Sequence, residues 1–379
     1  MAESQKVYLI VSNAEAGTRE SLPATAQMEI IDSDNLIQTD LRFTKDDKVC
    51  IASEAALDRT ISRIDDPVRV KAIALLKDKY AFRQLLTTIY PSFEYQCIQA
   101  HQIPDLQITQ KSVIKPVKGV FGTAVKIIDR DTDLTELAAT LQTELTKNAA
   151  LFSPSVLSTT DFLVESYIKG EEYAVDMFYD AGGAACIVNI YHHPLPPNPA
   201  YLHVIYYCSQ TVCDRIYTKA KHFFTELNRI LGVTNLPIHG EFKFDGVGGA
   251  SLKENRLMPI ELNALRFGGM GLGNLAFHAL GVDPYACFAE DIEPNWQQIW
   301  QDNQTDLFAF FIAYNGAKIN PRDYRPNREK LKRQFTKVIL ERDFEYQNQL
   351  AFGIYILQET SQNLEKLLQI EFDDFFESI

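Results

Sequence analysis

The chain has 379 residues, 46% hydrophobic and 23% charged, an ordinary composition for a soluble folded protein with room for two or three domains. Its net charge of −13 argues against a general affinity for nucleic acid or anionic membrane, and no run of about 20 apolar residues offers a membrane span. Six cysteines, at 50, 97, 186, 208, 213 and 287, form no CxxC pair. They are expected as reduced, mostly buried thiols of a cytoplasmic protein rather than a zinc site. The opening MAESQKVYLIVS lacks the long apolar core and cleavage site of a signal peptide.

In chain order, residues 7–11 and 48–52 read as strands, and 55–64 and 70–86 as helices separated by Asp66-Pro67. Residues 1–75 thus form a small α/β unit. Short strands at 113–115 and 124–128 flank a loop at 116–123, and 133–148 is helical. Strands follow at 162–164, 172–178 and 185–191, with Lys169-Gly170 turning between the first two. The loop HHPLPPNPAY holds four prolines and is expected to be irregular. Residues 214–231 form an amphipathic helix with Gly232 as its C-cap. Two strands, 238–245 and 257–263, enclose a glycine-rich connector. Beyond about residue 300 come a strand-like FAFFIAY, a charged segment, and an acidic, aromatic tail over 371–379 read as the solvated end of the last helix.

Chemistry concentrates in three segments. In HGEFKFD, alternation puts Glu241, Lys243 and Asp245 on one face and Phe242 and Phe244 on the other. In PIELNALRFGG, Glu261 and Asn263 share a face in the same way. Antiparallel pairing of the two strands would bring two carboxylates and a carboxamide together, hard oxygen donors suited to magnesium. The plain alternative is an edge strand with a solvated polar face. VIKPVKGVFGTAVKII sets Lys115 at a strand end before a loop with Gly119 and Gly122, whose amides can approach phosphate oxygens. The alternative there is a glycine hairpin with a surface lysine, and no GxxxxGK[ST] loop occurs in the chain. FLVESYIKGEEYAVD adds acids at 165, 171, 172 and 176, by default exposed on a hairpin.

Taken in order, a lysine before a glycine loop, E-x-Y-I-x-G-x-E-Y, H-G-E, and I-E-x-N followed by an arginine and Gly-Gly resemble the ATP-grasp enzymes, over roughly residues 76–275. The resemblance implies an α/β chain of α+β lobes: an ATP-grasp fold with an N-terminal Rossmann-like domain at 1–75. The ATP-grasp domain would span 76–300, with a mobile lid lobe at about 110–168, and an extension would follow at 301–379. It implies ATP and Mg2+, with Mn2+ as the alternative ion. Arg83, where many members have lysine, and Lys115 match phosphate contacts. Lys118, Gly119, Gly122 and Thr123 match the lid over the phosphates. Glu165, Tyr167 and Ile168 match the hinge that recognises adenine, and Glu172 the acid on the ribose. Glu241, Glu261 and Asn263 match the metal ligands. Arg266, five residues after Glu261 rather than the commoner four, matches the arginine that with Lys115 stabilises the transferring phosphoryl group.

The activity implied is joining of a small-molecule carboxylate, such as an amino acid or peptide, to an amine through an acyl phosphate. ADP and phosphate are released, and nucleic acid or membrane takes no part. The rival within the family is a member that forms a thioester or phosphorylates a small molecule; outside catalysis it is a nucleotide-binding module. A homodimer is the candidate assembly. GGMGLGN lacks the G-x-G-x-x-G spacing of a dinucleotide loop, and is read as a close backbone approach or the start of a helix at Asn274. His192-His193, without a carboxylate nearby in sequence, read as a surface or substrate-lining pair, with 192–200 as a selectivity loop. His239 is either a packed core histidine or a neighbour of the metal ligands.

Overall fold

A computed structural model describes residues 6–12, 28–52, 54–119, 122–149, 157–197, 201, 203–244, 256–303 and 307–379. In chain order its strands are β1 Val7–Val11, β2 Met28–Asp32, β3 Lys48–Ile51, β4 Tyr95–Gln99, β5 Ser112–Pro116, β6 Lys126–Ile128, β7 Asp161–Ser166, β8 Glu171–Tyr179, β9 Ala185–His193, β10 Ile205–Cys208, β11 Leu236–Phe244, β12 Met258–Ala264, β13 Leu307–Tyr314, β14 Tyr324–Pro326, β15 Lys337–Asp343, β16 Ala351–Glu359 and β17 Phe376–Ser378. The first three form a parallel sheet in the order β2-β1-β3. Among the described residues, no helix is long and apolar enough to cross a membrane.

The second sheet is antiparallel, in the order β4-β7-β5-β6. Leu137, Leu141 and Leu145 of the helix Leu134–Ala149 bury against its Ile114, Ile128, Phe162 and Val164. The strand expected from residue 124 starts at Lys126, because Ala124 takes a left-handed φ of 56° in the preceding turn.

The third sheet has eight strands in the order β12-β11-β8-β9-β10-β13-β16-β15. Strands β13, β16 and β15, all after residue 301, therefore continue the sheet that begins at β12. Strand β13 is apolar throughout because both its faces are covered: Phe308, Phe310 and Ile312 pack into one core, Leu307, Ala309, Phe311 and Ala313 into another. The helix Gln210–Leu231 lies on β9, capped by the Ser209 hydroxyl at one end and by Gly232, with φ 64°, at the other.

Two expectations are corrected. The single helix over 70–86 is two helices, Pro67–Lys77 and Lys79–Leu85. Asp78 between them is extended, and its carboxylate accepts the Tyr80 and Ala81 amides, so it caps a new helix instead of continuing the old one. The tail is not a solvated helix end. Phe372–Phe375 is a 3-10 turn whose Phe372 is fully buried against Tyr201 and Phe311, and β17 pairs with β14.

Candidate nucleotide and metal site

Strand pairing builds the site floor. Glu241 of β11 lies directly opposite Glu261 of β12, and His239 opposite Asn263. On the other side of β11, His239 faces Asp176 of β8 and Lys243 faces Glu172. Next along, Glu172 faces His193 and Asp176 faces Asn189 on β9. Residues opposite one another in an antiparallel ladder point the same way, so these side chains share one polar face across four strands. Asp245 lies outside the described residues.

Glu261 is held at both oxygens: Lys79 Nζ is 2.9 Å from Oε2, and Asn263 Nδ2 donates to Oε1 at 3.2 Å. Burial alone would raise the Glu261 carboxyl, but the Lys79 ammonium, the Asn263 amide and nearby Lys77 hold it well below the usual carboxylate range. Two carboxylates and a carboxamide are hard donors that fit Mg2+, which commonly takes one or two protein carboxylates and completes its shell with phosphate and water. Among the described residues, no three His, Cys, Asp or Glu side chains form a metal cluster by themselves.

Behind this floor lies a buried network. Asp176, wholly inaccessible, accepts from His239 Nδ1 at 2.7 Å, Tyr191 Oη at 2.7 Å and Asn189 Nδ2 at 3.1 Å. Burial alone would lower the His239 imidazole, yet the Asp176 hydrogen bond and charge, with Glu241 3.7 Å from Nε2, raise it to about 9. His239 is thus buried and also lies beside Glu241. His192 and His193 are not a surface pair. His193 is buried, 2.7 Å from Glu172 Oε1 and stacked on Tyr206, while His192 faces the other side of the sheet against Tyr173 and Tyr207. The carboxylate that sequence proximity did not offer comes from the neighbouring strand. Of the loop at 192–200, residues 198–200 lie outside the described residues.

A second cluster joins the small sheet to this floor. Arg83 grips Glu165 with two bonds, Nε to Oε2 at 2.5 Å and Nη2 to Oε1 at 3.1 Å, and donates Nη1 to the Pro259 carbonyl at 2.7 Å. Lys115 Nζ reaches the same carboxylate at 2.7 Å. Burial would raise Glu165, but Lys115 and Arg83 bring it from an ordinary 4.5 down to about 2. Both cations are buried and committed to Glu165. Lys79 links the two clusters, since its backbone amide donates to Val117 O at 2.8 Å and its ammonium to Gly119 O at 3.3 Å. In the glycine loop, the Lys118 carbonyl accepts from Ser158, and Gly122 has φ 66° beside Thr123; Val120 and Phe121 lie outside the described residues. Tyr167, followed by Ile168, lies under Lys111, whose ammonium is 4.4 Å from the ring centre.

Arg266 pairs with Glu54, its Nε 3.2 Å from Oε1; Glu54 Oε2 is 2.6 Å from Lys77. Burial would raise Glu54, but Lys77 and Arg266 hold it low. Lys77, Lys79 and Glu54 were not singled out in the sequence. The Asp-Lys pair at 78–79 is the available signal, and the resemblance uses it only to place a phosphate contact at Arg83, the basic residue after it. Five cations, Lys77, Lys79, Arg83, Lys115 and Arg266, meet Glu54, Glu165 and Glu261 in one region of an acidic protein, where Glu241 has His239 beside it. Such local positive charge favours a polyanionic ligand.

Through Lys79, the glycine loop at Gly119 of the small sheet is thus linked to Glu261, opposite Glu241 on the larger one. Residues 108–274 match the ATP-grasp domain family. No curated protein matches the chain in sequence. Among solved structures it is similar to an L-amino acid ligase from Bacillus licheniformis, at 15% identity and a TM-score of 0.65, covering 100% of this chain and 99% of that one. It is similar to a carboxyaminoimidazole synthase from Aspergillus clavatus in complex with ADP and aminoimidazole ribonucleotide, at 12% identity and a TM-score of 0.59, covering 98% and 99%. A third is the biotin carboxylase–ATP complex from Campylobacter jejuni, at 12% and 0.57, covering 95% and 89%.

Proposed function

We propose that the protein is an ATP-dependent carboxylate–amine ligase that forms an amide through an acyl phosphate and releases ADP and phosphate. The observation that carries this reading is Glu241 opposite Glu261, with Asn263 beside them and Lys79 bridging Glu261 to the glycine loop at Gly119. The solved structures of this fold that hold ADP or ATP support the nucleotide.

A carboxylate is a poor acyl donor because its leaving group would be oxide. Its oxygen attacks the γ-phosphorus, ADP departs, and the acyl carbon then carries phosphate as leaving group. An amine attacks that carbon, phosphate leaves and the surplus proton passes to solvent. Glu241, Glu261 and Asn263 would hold Mg2+, which when bound offsets charge on the phosphoryl oxygens. Lys79 and Lys115 face the phosphates, with Lys115 set by Glu165 and Arg83. Arg266 stabilises the phosphoryl group in transfer. Residues 118–119 and 122–123 cover the phosphates, and Tyr167, Ile168 and Glu172 line the nucleoside.

The test is phosphate release from ATP, screened against amino acids and small acids with amines, with mass spectrometry of the products. An amide product with ADP is expected, and Glu261→Gln, still folded by circular dichroism, should release none. A thioester or a phosphorylated product would replace this reading, and full turnover by Glu261→Gln would remove the metal assignment.

A further inference from the structure

The polar face of the large sheet does not end at β9. Tyr207 of β10 lies opposite His192, which faces away from the site, so Tyr206 before it turns to the same side as His193. His203, just ahead of β10, joins Tyr206 there: its Nδ1 is 3.0 Å from the Tyr206 hydroxyl, and the two ring planes are 7° apart. His193 stacks over both, its ring centre 4.0 Å from that of Tyr206 and 5.2 Å from that of His203. Two residues earlier, Tyr201 is buried against Phe372, and its hydroxyl accepts the Ala317 amide at 2.7 Å. His203 is thus pinned from both sides. Glu241, Glu172 and Glu261 all bear their charge on it, Glu241 the most. Burial and His193 nevertheless hold its imidazole below the ordinary value, which leaves it neutral at physiological pH. The other imidazoles of this face are engaged, His239 between Asp176 and Glu241 and His193 with Glu172. His203 Nε2, by contrast, has no bonding partner among the described residues.

We propose that His203 is the base of the amide-forming step: its Nε2 takes the proton from the amine as the nitrogen attacks the acyl phosphate. The amine must enter beside the phosphate it displaces, near Glu241 and Glu261 under the proposed metal assignment, and the charge of both reaches His203. The nitrogen lone pair forms the C–N bond, and the C–O bond breaks with its electron pair on the departing phosphate. One N–H proton moves to Nε2 and from there to solvent. In the receptive tautomer Nδ1–H donates to the Tyr206 oxygen, which turns the Nε2 lone pair away from Tyr206. Glu241 and Glu172 offset the charge of the imidazolium that forms. The role rests on the ligase reading but concerns only its second half, so the two halves are measurable apart.

The experiment uses the full-length protein with ATP and Mg2+. Wild type and His203→Gln are compared in amide formation across the panel of amino acids, small acids and amines. Each acid is then offered hydroxylamine, a weak base present as the free amine at neutral pH. Hydroxylamine captures the acyl phosphate as a hydroxamate and needs little help from a protein base. His203→Gln should form amide roughly 100- to 10,000-fold more slowly, the usual share of a general base, while hydroxamate formation stays near the wild-type rate. Tyr206→Phe, which removes the partner of Nδ1, should slow the amide step alone and by less. Equal losses of amide and hydroxamate in His203→Gln would make the residue part of the cleft wall and overturn the proposal. So would amide formation by His203→Gln at the wild-type rate. Both of those results leave the ligase reading standing, whereas a wild type that forms amide with no member of the panel ends that reading and the role of His203 with it.

Discussion

Lys79 Nζ lies 2.9 Å from Glu261 Oε2, so the first residue of the helix Lys79–Leu85 is paired with the strand that carries Asn263. The same ammonium reaches Gly119 O, placing one positive charge between the metal carboxylates and the glycine loop. Lys79→Met leaves Glu261 without its counter-charge and, under the proposed function, removes a phosphate-facing cation. The KM for ATP should rise by roughly tenfold or more, the scale of one charged hydrogen bond, in a protein with an unchanged circular dichroism spectrum. An unaltered KM would show that Lys79 only braces Glu261.

Glu165→Gln leaves Arg83 and Lys115 buried without a carboxylate. Breaking a buried pair by deleting one partner costs about 3–5 kcal/mol, more than a typical surface change. The urea midpoint should fall accordingly with the m-value held. A shift under about 1 kcal/mol would mean that water reaches the cluster.

Acid should act through the same carboxylate. Glu165 is depressed from 4.5 to about 2 in the folded chain. Its contribution is therefore complete above the unfolded value and is lost as pH falls from about 4.5 through 2. Thermal melts of the wild type should steepen their decline over that window, and Glu165→Gln should lose part of this slope. Identical slopes in the two proteins would contradict the assignment.

Gly240 sits between His239 and Glu241 with no room for a side chain. A Cβ there would come within 2.7 Å of Leu262 and 2.8 Å of Phe242, which fold over it on the buried face. Gly240→Ala should cost about 1–3 kcal/mol and displace Glu241 from its place opposite Glu261. Mn2+ titration followed by electron paramagnetic resonance, in the presence of AMP-PNP, should show weaker metal binding. Unchanged binding would mean that the strand absorbs the methyl without moving its carboxylate.

What the sequence revealed depended on how locally each feature was encoded. The placement of Glu241 opposite Glu261 was readable because alternation along a strand fixes its faces, and only the pairing had to be supplied. Asp176 lies on the same face as Glu172 by the same alternation, but its buried role comes from His239, Tyr191 and Asn189 on two other strands. His193 likewise finds Glu172 only across a ladder. Lys77 and Lys79 were hidden by a different cause. In one helix, residues two apart point to nearly opposite sides, and only the break at Asp78 lets both reach the cleft, one to Glu54 and the other to Glu261. β2, β4, β10, β14, β15 and β17 are not among the expected strands because their partners, not their own patterns, define them, whereas β16 carries its own apolar run.

The three-way grip of Arg83 makes it a fulcrum. One edge of its guanidinium is fixed to Glu165 in the small sheet, and its remaining nitrogen to the Pro259 carbonyl, two residues before Glu261. Any tilt of the small sheet must therefore tug on the strand from which the ions would hang. Under the proposed metal assignment, the tilt of the small sheet and the metal spacing would be one variable, and a change that slackens one should retune the other.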